Sequence, residues 1–116
     1  MKIKDFKFEF IVREKIYPAM FNLNVMQLIQ EEYGSIRNWG DLVEGENGEV
    51  DIKALKFGIT EMINEAIDIE NETAEVKKEF LTAKQVGRLI TDAGIENMTK
   101  QVTDAVVEST KNETKN

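Results

Sequence analysis

The sequence predicts an α+β fold that is mainly α, with an N-terminal β-hairpin followed by about four short helices. Two observations support this prediction. Phe6, Phe8 and Phe10 alternate with Lys7 and Glu9, and a period of two is typical of a strand with one apolar face. Farther along the chain, apolar residues recur at spacings of three and four, which is the period of an amphipathic helix.

The hairpin is predicted from a strand over residues 3–12, a turn near Arg13 to Lys15, and a second extended stretch, KIYPAMF. Pro18 has no amide hydrogen, so its position is predicted to face a sheet edge or a bulge. A two-stranded hairpin is only marginally stable alone. Its phenylalanine face is therefore expected to pack on the helices or on strands from another chain.

Capping residues mark the limits of the first helices. Asn22 offers its side-chain oxygen to the free amides of a helix over residues 23–33, and Gly34 follows where a left-handed residue ends a helix. A short helix is predicted around residues 35–43. The glycines and the asparagine of EGENGE then predict a loop.

The most regular pattern covers residues 51–67, where Asp51 caps a helix with one continuous apolar face. The charged stretch DIENETAEVKKEF that follows lacks a clean period. It is predicted to be a mobile connection, with Phe80 and Leu81 drawn back to the core.

Two further helices complete the predicted fold. Thr82 and Gln85 form a T-x-x-Q capping box at the start of the first, which Gly94 ends. The second follows at once and again has one apolar face. Because the tail KNETKN has no apolar residue, a single domain is predicted over residues 1–107 and a disordered polar tail over 108–116.

Composition limits the chemistry that the chain can perform. The 116 residues include neither cysteine nor histidine, which excludes thiol nucleophiles, disulfides and the usual zinc sites, and removes the commonest general base. The many carboxylates lie in polar stretches, where no apolar pocket is expected to shift a pKa. We therefore expect no enzyme activity, no catalytic residue and no cofactor.

Metal and phosphate sites are not predicted either. DLVEGENGEVD offers oxygen ligands for calcium, but their spacing does not match that of an EF-hand. EGENGE lacks both the lysine of a P-loop and the glycine pattern of a dinucleotide-binding fold, and its glutamates would repel phosphate.

Charge and hydropathy also limit the partners. A formal net charge of −7 argues against binding to the phosphate backbone of nucleic acid, which needs clustered lysine and arginine. The longest apolar run is far shorter than the roughly 20 residues that cross a bilayer. The start MKIKDF lacks a secretory pattern, so a cytoplasmic protein without membrane contact is expected.

Aromatic residues are the candidates for a protein interface, and four are singled out: Phe6, Phe8, Phe10 and Phe57. The first three share a strand face that either covers the helices or awaits a partner, and core packing is favoured. Phe57 lies off the apolar stripe of its helix, so it packs on a second element or faces a partner. Tyr33 and Trp39 carry the same two alternatives, and core packing is favoured for Trp39.

The segment EKIYPAMFNLNVMQLIQEEYGSIRNW resembles the opening of the small tail assembly chaperones of long-tailed phages and prophages. In that family, a hairpin with an aromatic-proline step runs into a helix that ends in acidic residues, an aromatic and a glycine, as EEYG does here. DIKALKFGITEMINEA and LTAKQVGRLI are similar to later helices of the family. The similarity covers roughly residues 8–107.

The resemblance implies a non-enzymatic role in the cytoplasm of a bacterial host. Such chaperones bind the long, helical, aggregation-prone tape measure protein before tail tube subunits polymerise around it. The resemblance also implies self-association, and it makes the tail tube protein a further expected partner. The alternative is a head-tail connector or tail completion protein. A DNA mimic that sequesters a basic protein is a third class, which the scattered carboxylates disfavour.

Overall fold

The computed structural model of this chain describes residues 7–45 and 48–114. Its elements, in chain order, are β1 (Lys7–Val12), β2 (Lys15–Met20), α1 (Leu23–Tyr33), α2 (Ile36–Glu44), α3 (Ile52–Asn71), α4 (Ala83–Ala93) and α5 (Ile95–Thr114). A hairpin followed by helices confirms the predicted α+β, mainly α class. The described part contains five helices rather than about four, and α3 and α5 are each 20 residues long.

The hairpin pairs β1 with β2 in antiparallel register, with Phe8 opposite Ala19 and Phe10 opposite Tyr17. The predicted period of two is present, because Phe10 is fully buried while Ile11 beside it is 53% exposed. The turn lies between the strands, and Arg13 at its first central position has a positive φ of 57°. The part of the predicted strand before Lys7 falls outside the described residues.

Pro18 lies at an outward-facing position of the hairpin, as predicted. Both backbone polar groups of Ile11 bond to the Gln101 side chain of α5, so they point away from β2. Outward and inward pairs alternate along an antiparallel ladder, which makes Glu9 and Pro18, two residues along, another outward pair. The missing amide hydrogen of Pro18 therefore costs no ladder bond.

The first four helices each begin at a capping side chain. Asn22, Ser35, Asp51 and Thr82 accept hydrogen bonds from backbone amides of the first turns of α1, α2, α3 and α4. The predicted capping box is complete, because the Thr82 amide also donates to Gln85 Oε1 at 2.8 Å.

One hydrophobic cluster contains buried side chains from every strand and helix. At its centre α2 and α3 approach closely, because Gly58 leaves room for the indole of Trp39. A β-carbon on Gly58 would lie 2.3 Å from Trp39 Cζ2. Trp39 is 1% exposed and donates from Nε1 to the carbonyl oxygen of Ala54 at 2.9 Å, so the favoured core assignment is confirmed.

The connection after α3 is fastened to that helix, whereas the sequence predicts a mobile segment. Asn71 donates to the Lys78 carbonyl oxygen at 3.0 Å and accepts from the Lys78 amide at 2.9 Å. Asn64 makes the same pair of bonds to Leu81, both at 2.9 Å. Seven helical residues rise about 10 Å, which matches three extended residues, so both amides hold one extended segment. We call residues 78–81 the strap.

Two predictions about the connection and the tail need correction. Leu81 packs on the core as predicted, but Phe80 is 53% exposed. Neighbouring side chains of an extended segment point to opposite sides, so the inward position of Leu81 turns Phe80 outward. The predicted disordered tail over 108–116 is helical through Thr114, and 115–116 lie outside the described residues. Val102 and Ser109 are buried on α5, so packing carries the helix beyond residue 107.

Candidate functional site

The phenylalanines predicted as an interface on β1 contribute to the core. Phe10 is fully buried, and Phe8 is half-buried with its ring edge-to-face on Phe10 at a centroid distance of 5.0 Å. Phe6 lies outside the described residues. A partner has no access to Phe10 in this conformation, so Phe10 takes the favoured core alternative and is not an interface residue.

Phe57 takes the packing alternative. Its half-buried ring stands edge-to-face on Tyr33 of α1 at a centroid distance of 5.6 Å, so it joins α3 to α1. The Tyr33 hydroxyl is buried and has no hydrogen-bond partner among the described residues. Burial raises the pKa of this phenol, and the nearby carboxylates of Asp51 and Glu32 raise it further.

An apolar groove lies between β2, α3 and the strap. It encloses about 350 Å³. Its lining comprises Ile16, Tyr17 and Pro18 of β2, Ile63, Ala66, Ile67 and Glu70 of α3, and Lys78, Glu79 and Leu81 of the strap. Three consecutive β2 residues contribute and no β1 residue does, so the groove follows the edge of β2 and not one face of the sheet.

The local sequence explains why this groove stays open. The strap is held against α3 by Asn64 and Asn71 and makes no hydrogen bond to β2 among the described residues. Ala66 gives the floor a small side chain where α3 passes beneath the strand. A second cavity of about 530 Å³ at the open end of the hairpin shares Pro18, Ala66 and Glu70 with the first. The second cavity is lined by both strands of the hairpin as well as α3, and it adjoins the groove at these shared residues.

The β2 edge of the groove carries an exposed apolar side chain, because Ile16 is 57% exposed. Phe80 of the strap is also exposed, but it is not part of the lining. The floor continues the core, because Ile63 is buried and Ile67 packs against the hydrophobic cluster. Apolar surface of this kind, bordered by charged residues, is typical of protein-binding sites.

The charges around the groove are nearly balanced, with a small acidic excess. Lys78 and Glu70 form an ion pair of 2.8 Å across the floor and the strap. Both side chains are more than half exposed, so this pair adds little stability. Glu79 lines the groove without an ion-pair partner among the described residues.

A separate acidic surface lies on the α1 side of α3. Glu65 accepts hydrogen bonds from Asn22 at 2.8 Å and from Asn24 at 3.0 Å. One turn earlier, burial raises the pKa of the Glu61 carboxyl, and the charge of Glu65 raises it further. The contacts of Glu65 are therefore two hydrogen bonds from asparagine side chains and a repulsion of the Glu61 carboxylate.

Neither a metal-binding cluster nor a membrane-spanning helix is present among the described residues. Among residues 7–45 and 48–114, no three or more carboxylates, histidines or cysteines are grouped so as to hold a metal ion. No helix in the described ranges is long and apolar enough to cross a bilayer.

The groove beside β2 has an apolar floor and extended backbone on both sides. Such an arrangement is suited to holding another polypeptide.

Comparisons with known proteins give no relative. No protein-family model matches the chain, and no curated protein or solved structure is detectably similar to it. The resemblance to tail assembly chaperones therefore stays a prediction from the sequence.

Sequence reasoning missed the residues that build this groove. From the sequence, Ile16 is predicted only as part of a strand, and Lys78 and Glu79 only as part of a charged connection. A usable signal was present in α3, where Asn64 and Asn71 stand seven residues apart in a long amphipathic helix. Two amide side chains that lie two helical turns apart share one side of a helix, and each can both donate to and accept from a neighbouring backbone.

Proposed function

We propose that this protein is a tail assembly chaperone of a long-tailed phage or prophage, acting in the cytoplasm of its bacterial host. It holds the tape measure protein in soluble form until the tail tube assembles, and it has no enzymatic activity. The observation that supports the proposal best is the apolar groove beside β2, which no described residue fills. The resemblance of residues 8–107 to that family supplies the identity of the partner.

The physical properties of the chain suit this role. The partner exposes apolar surface until the tube covers it, and the apolar groove beside Ile16 can cover part of that surface. The net charge of −7 keeps the resulting complex soluble by mutual repulsion.

Co-expression with the tape measure protein of the same phage or prophage tests the proposal. Wild-type protein should raise the soluble fraction of the tape measure protein severalfold and should purify with it in a defined ratio. Purified mature particles should lack the chaperone. A tape measure protein that stays insoluble, or stoichiometric presence in finished particles, contradicts the proposal; the second result favours a head-tail connector or tail completion protein.

We further propose that the free protein self-associates, with the tail tube protein as a second partner. Sedimentation velocity across a hundredfold range of concentration should show the oligomer dissociating on dilution. A single monomeric species at every concentration overturns this part of the proposal without affecting capture of the tape measure protein.

A further inference from the structure

The two edges of the hairpin differ. On β1, Gln101 occupies both outward polar groups of Ile11, with distances of 2.9 Å to the amide nitrogen and 2.9 Å to the carbonyl oxygen. On β2, the outward positions include Ile16 and Pro18, and neither makes a hydrogen bond outside the hairpin within the described chain. An unpaired strand edge is a template for another strand.

The space beside β2 has the form that an added strand needs. The groove follows consecutive residues of β2, its floor is the apolar side of α3, and its far wall is the strap. A strand placed there directs alternate side chains down toward Ala66 and Ile67 and the others out to water. Its backbone lies beside the free polar groups of Ile16.

The fold already holds extended backbone on this side of α3. Asn64 and Asn71 bind Leu81 and Lys78 only through backbone amide and carbonyl groups. Such contacts recognise an extended conformation and not particular side chains. The strap shows that an extended segment lying on α3 is compatible with this surface.

Charge complementarity limits the chemistry of the occupant. Lys78 is neutralised by Glu70, which leaves Glu79 as the uncompensated charge of the lining. An occupant with apolar side chains toward the floor and a lysine or arginine near Glu79 is therefore favoured, and the net charge of −7 attracts it further. An acidic segment is disfavoured.

We propose that an extended, basic-flanked apolar segment of a partner polypeptide adds to the open edge of β2 as a third strand, lying in the groove between β2 and the strap. The inference rests on the proposed chaperone function and specifies that the partner is held at a strand-forming segment and not along a helix. Pro18 donates no hydrogen bond, so the bonding to this strand comes from Ile16 and from the carbonyl oxygen of Pro18.

The test is an NMR titration of ¹⁵N-labelled full-length protein with the synthetic peptide acetyl-Lys-Val-Thr-Val-Thr-Val-Lys-amide. The amide signals of Ile16, Tyr17, Ala66 and Leu81 should shift, and that of Gln101 should not. Two control peptides carry N-methyl groups on the valines or on the threonines, which block opposite edges of the strand. At least one of them should bind about tenfold more weakly, since 1.4 kcal/mol corresponds to one factor of ten.

Matched protein variants localise the contact. Ile16→Lys should weaken peptide binding about tenfold, since it places a like charge beside the lysines of the peptide and removes apolar surface. Ile11 is the cross-strand partner of Ile16 and has a similar exposure, but its backbone bonds to Gln101 on the opposite side of the hairpin. The Ile11→Lys variant should therefore bind the peptide with a dissociation constant within about twofold of the wild-type value.

Several results overturn the inference. They are the absence of shifts at millimolar peptide, binding of both N-methylated peptides as tight as that of the parent peptide, or shifts confined to the Glu65 side of α3. Shifts of the groove signals when the protein is concentrated alone would assign the edge to a second copy of this chain, which also overturns it. If Ile16→Lys still captures the tape measure protein as wild type does, this inference fails while the chaperone function stands. If the peptide binds but no tape measure protein is captured, the strand-addition inference stands and the chaperone function fails.

Discussion

Gln101 on α5 binds both backbone polar groups of Ile11 on β1, at a separation of 90 residues in the chain. The contact joins the first described strand to the last helix, and a single side chain satisfies the outward polar groups of Ile11. Asn64 and Asn71 do the same for the strap, so side-chain amides hold two extended segments in place. Ile16, the cross-strand partner of Ile11 on β2, has no such side-chain partner among the described residues.

Replacing Gln101 tests this contact. Gln101→Ala should lower the free energy of unfolding by about 1 kcal/mol, because two partly exposed hydrogen bonds are lost and water replaces them. Urea unfolding followed by circular dichroism measures the change. The control is Gln27→Ala, whose side chain bonds only to Glu31 one turn later on the same helix. Equal effects of the two changes would show that the link to β1 adds nothing.

Gly58 and Gly40 should respond in opposite directions to the same substitution. Gly58→Ala places a β-carbon against the indole of Trp39 and should destabilise the protein by about 1–3 kcal/mol. Gly40→Ala meets no atom within 4 Å and lies within α2, so it should stabilise the protein by up to about 1 kcal/mol. Thermal unfolding of both variants measures this. A stable Gly58→Ala protein would contradict the close approach of α2 and α3.

Asn64 should control local opening of the strap. In Asn64→Ala, the Leu81 amide loses its acceptor, and its hydrogen exchange should accelerate by about tenfold. Exchange measured residue by residue by NMR gives the result. Asn97→Ala, which removes a side-chain bond to the Ala93 carbonyl oxygen and one accepted from Gln101, both remote from the strap, should leave Leu81 unchanged. Unaltered exchange in Asn64→Ala would mean that packing alone holds the strap.

Glu61 predicts a pH dependence of stability. Burial, together with the charge of Glu65, raises its pKa in the folded state, so the ionised form is disfavoured by folding. This penalty is fully present above the folded-state pKa and is relieved as the pH falls through that pKa toward the unfolded value. Glu61→Gln should therefore be more stable than wild type at pH 7, and the difference should shrink in acid.

Urea unfolding at a series of pH values measures this difference. Glu75→Gln removes an exposed carboxylate from the connection and serves as the control for net charge. A difference between Glu61→Gln and wild type that stays constant with pH, or that matches the Glu75→Gln control, would contradict the role assigned to burial.

The sequence predicts those features that depend on neighbouring residues. The caps at Asn22 and Asp51, the capping box at Thr82 and the alternation around Phe10 are set within a few positions, and the structure contains each of them. The fold class follows from these local patterns.

Features that depend on distant contacts were not predictable in the same way. Phe80 and Phe10 are the same residue type, yet Phe80 is exposed and Phe10 is buried. The hydrogen bonds from Asn64 and Asn71 fix how the strap lies on α3, and these contacts are distant in sequence. The groove requires β2, α3 and the strap together. None of the three described interface candidates, Phe8, Phe10 and Phe57, lines the groove beside β2.

The pair of hydrogen bonds between Ile11 and Gln101 has a consequence for synthesis on the ribosome. β1 is made early, but the side chain that covers its edge emerges only after some ninety further residues have been translated. Until then the nascent hairpin has two open edges, and closure of a loop this long is slow compared with local helix formation. Early translation is thus the interval in which a mispaired strand on β1 would be most harmful.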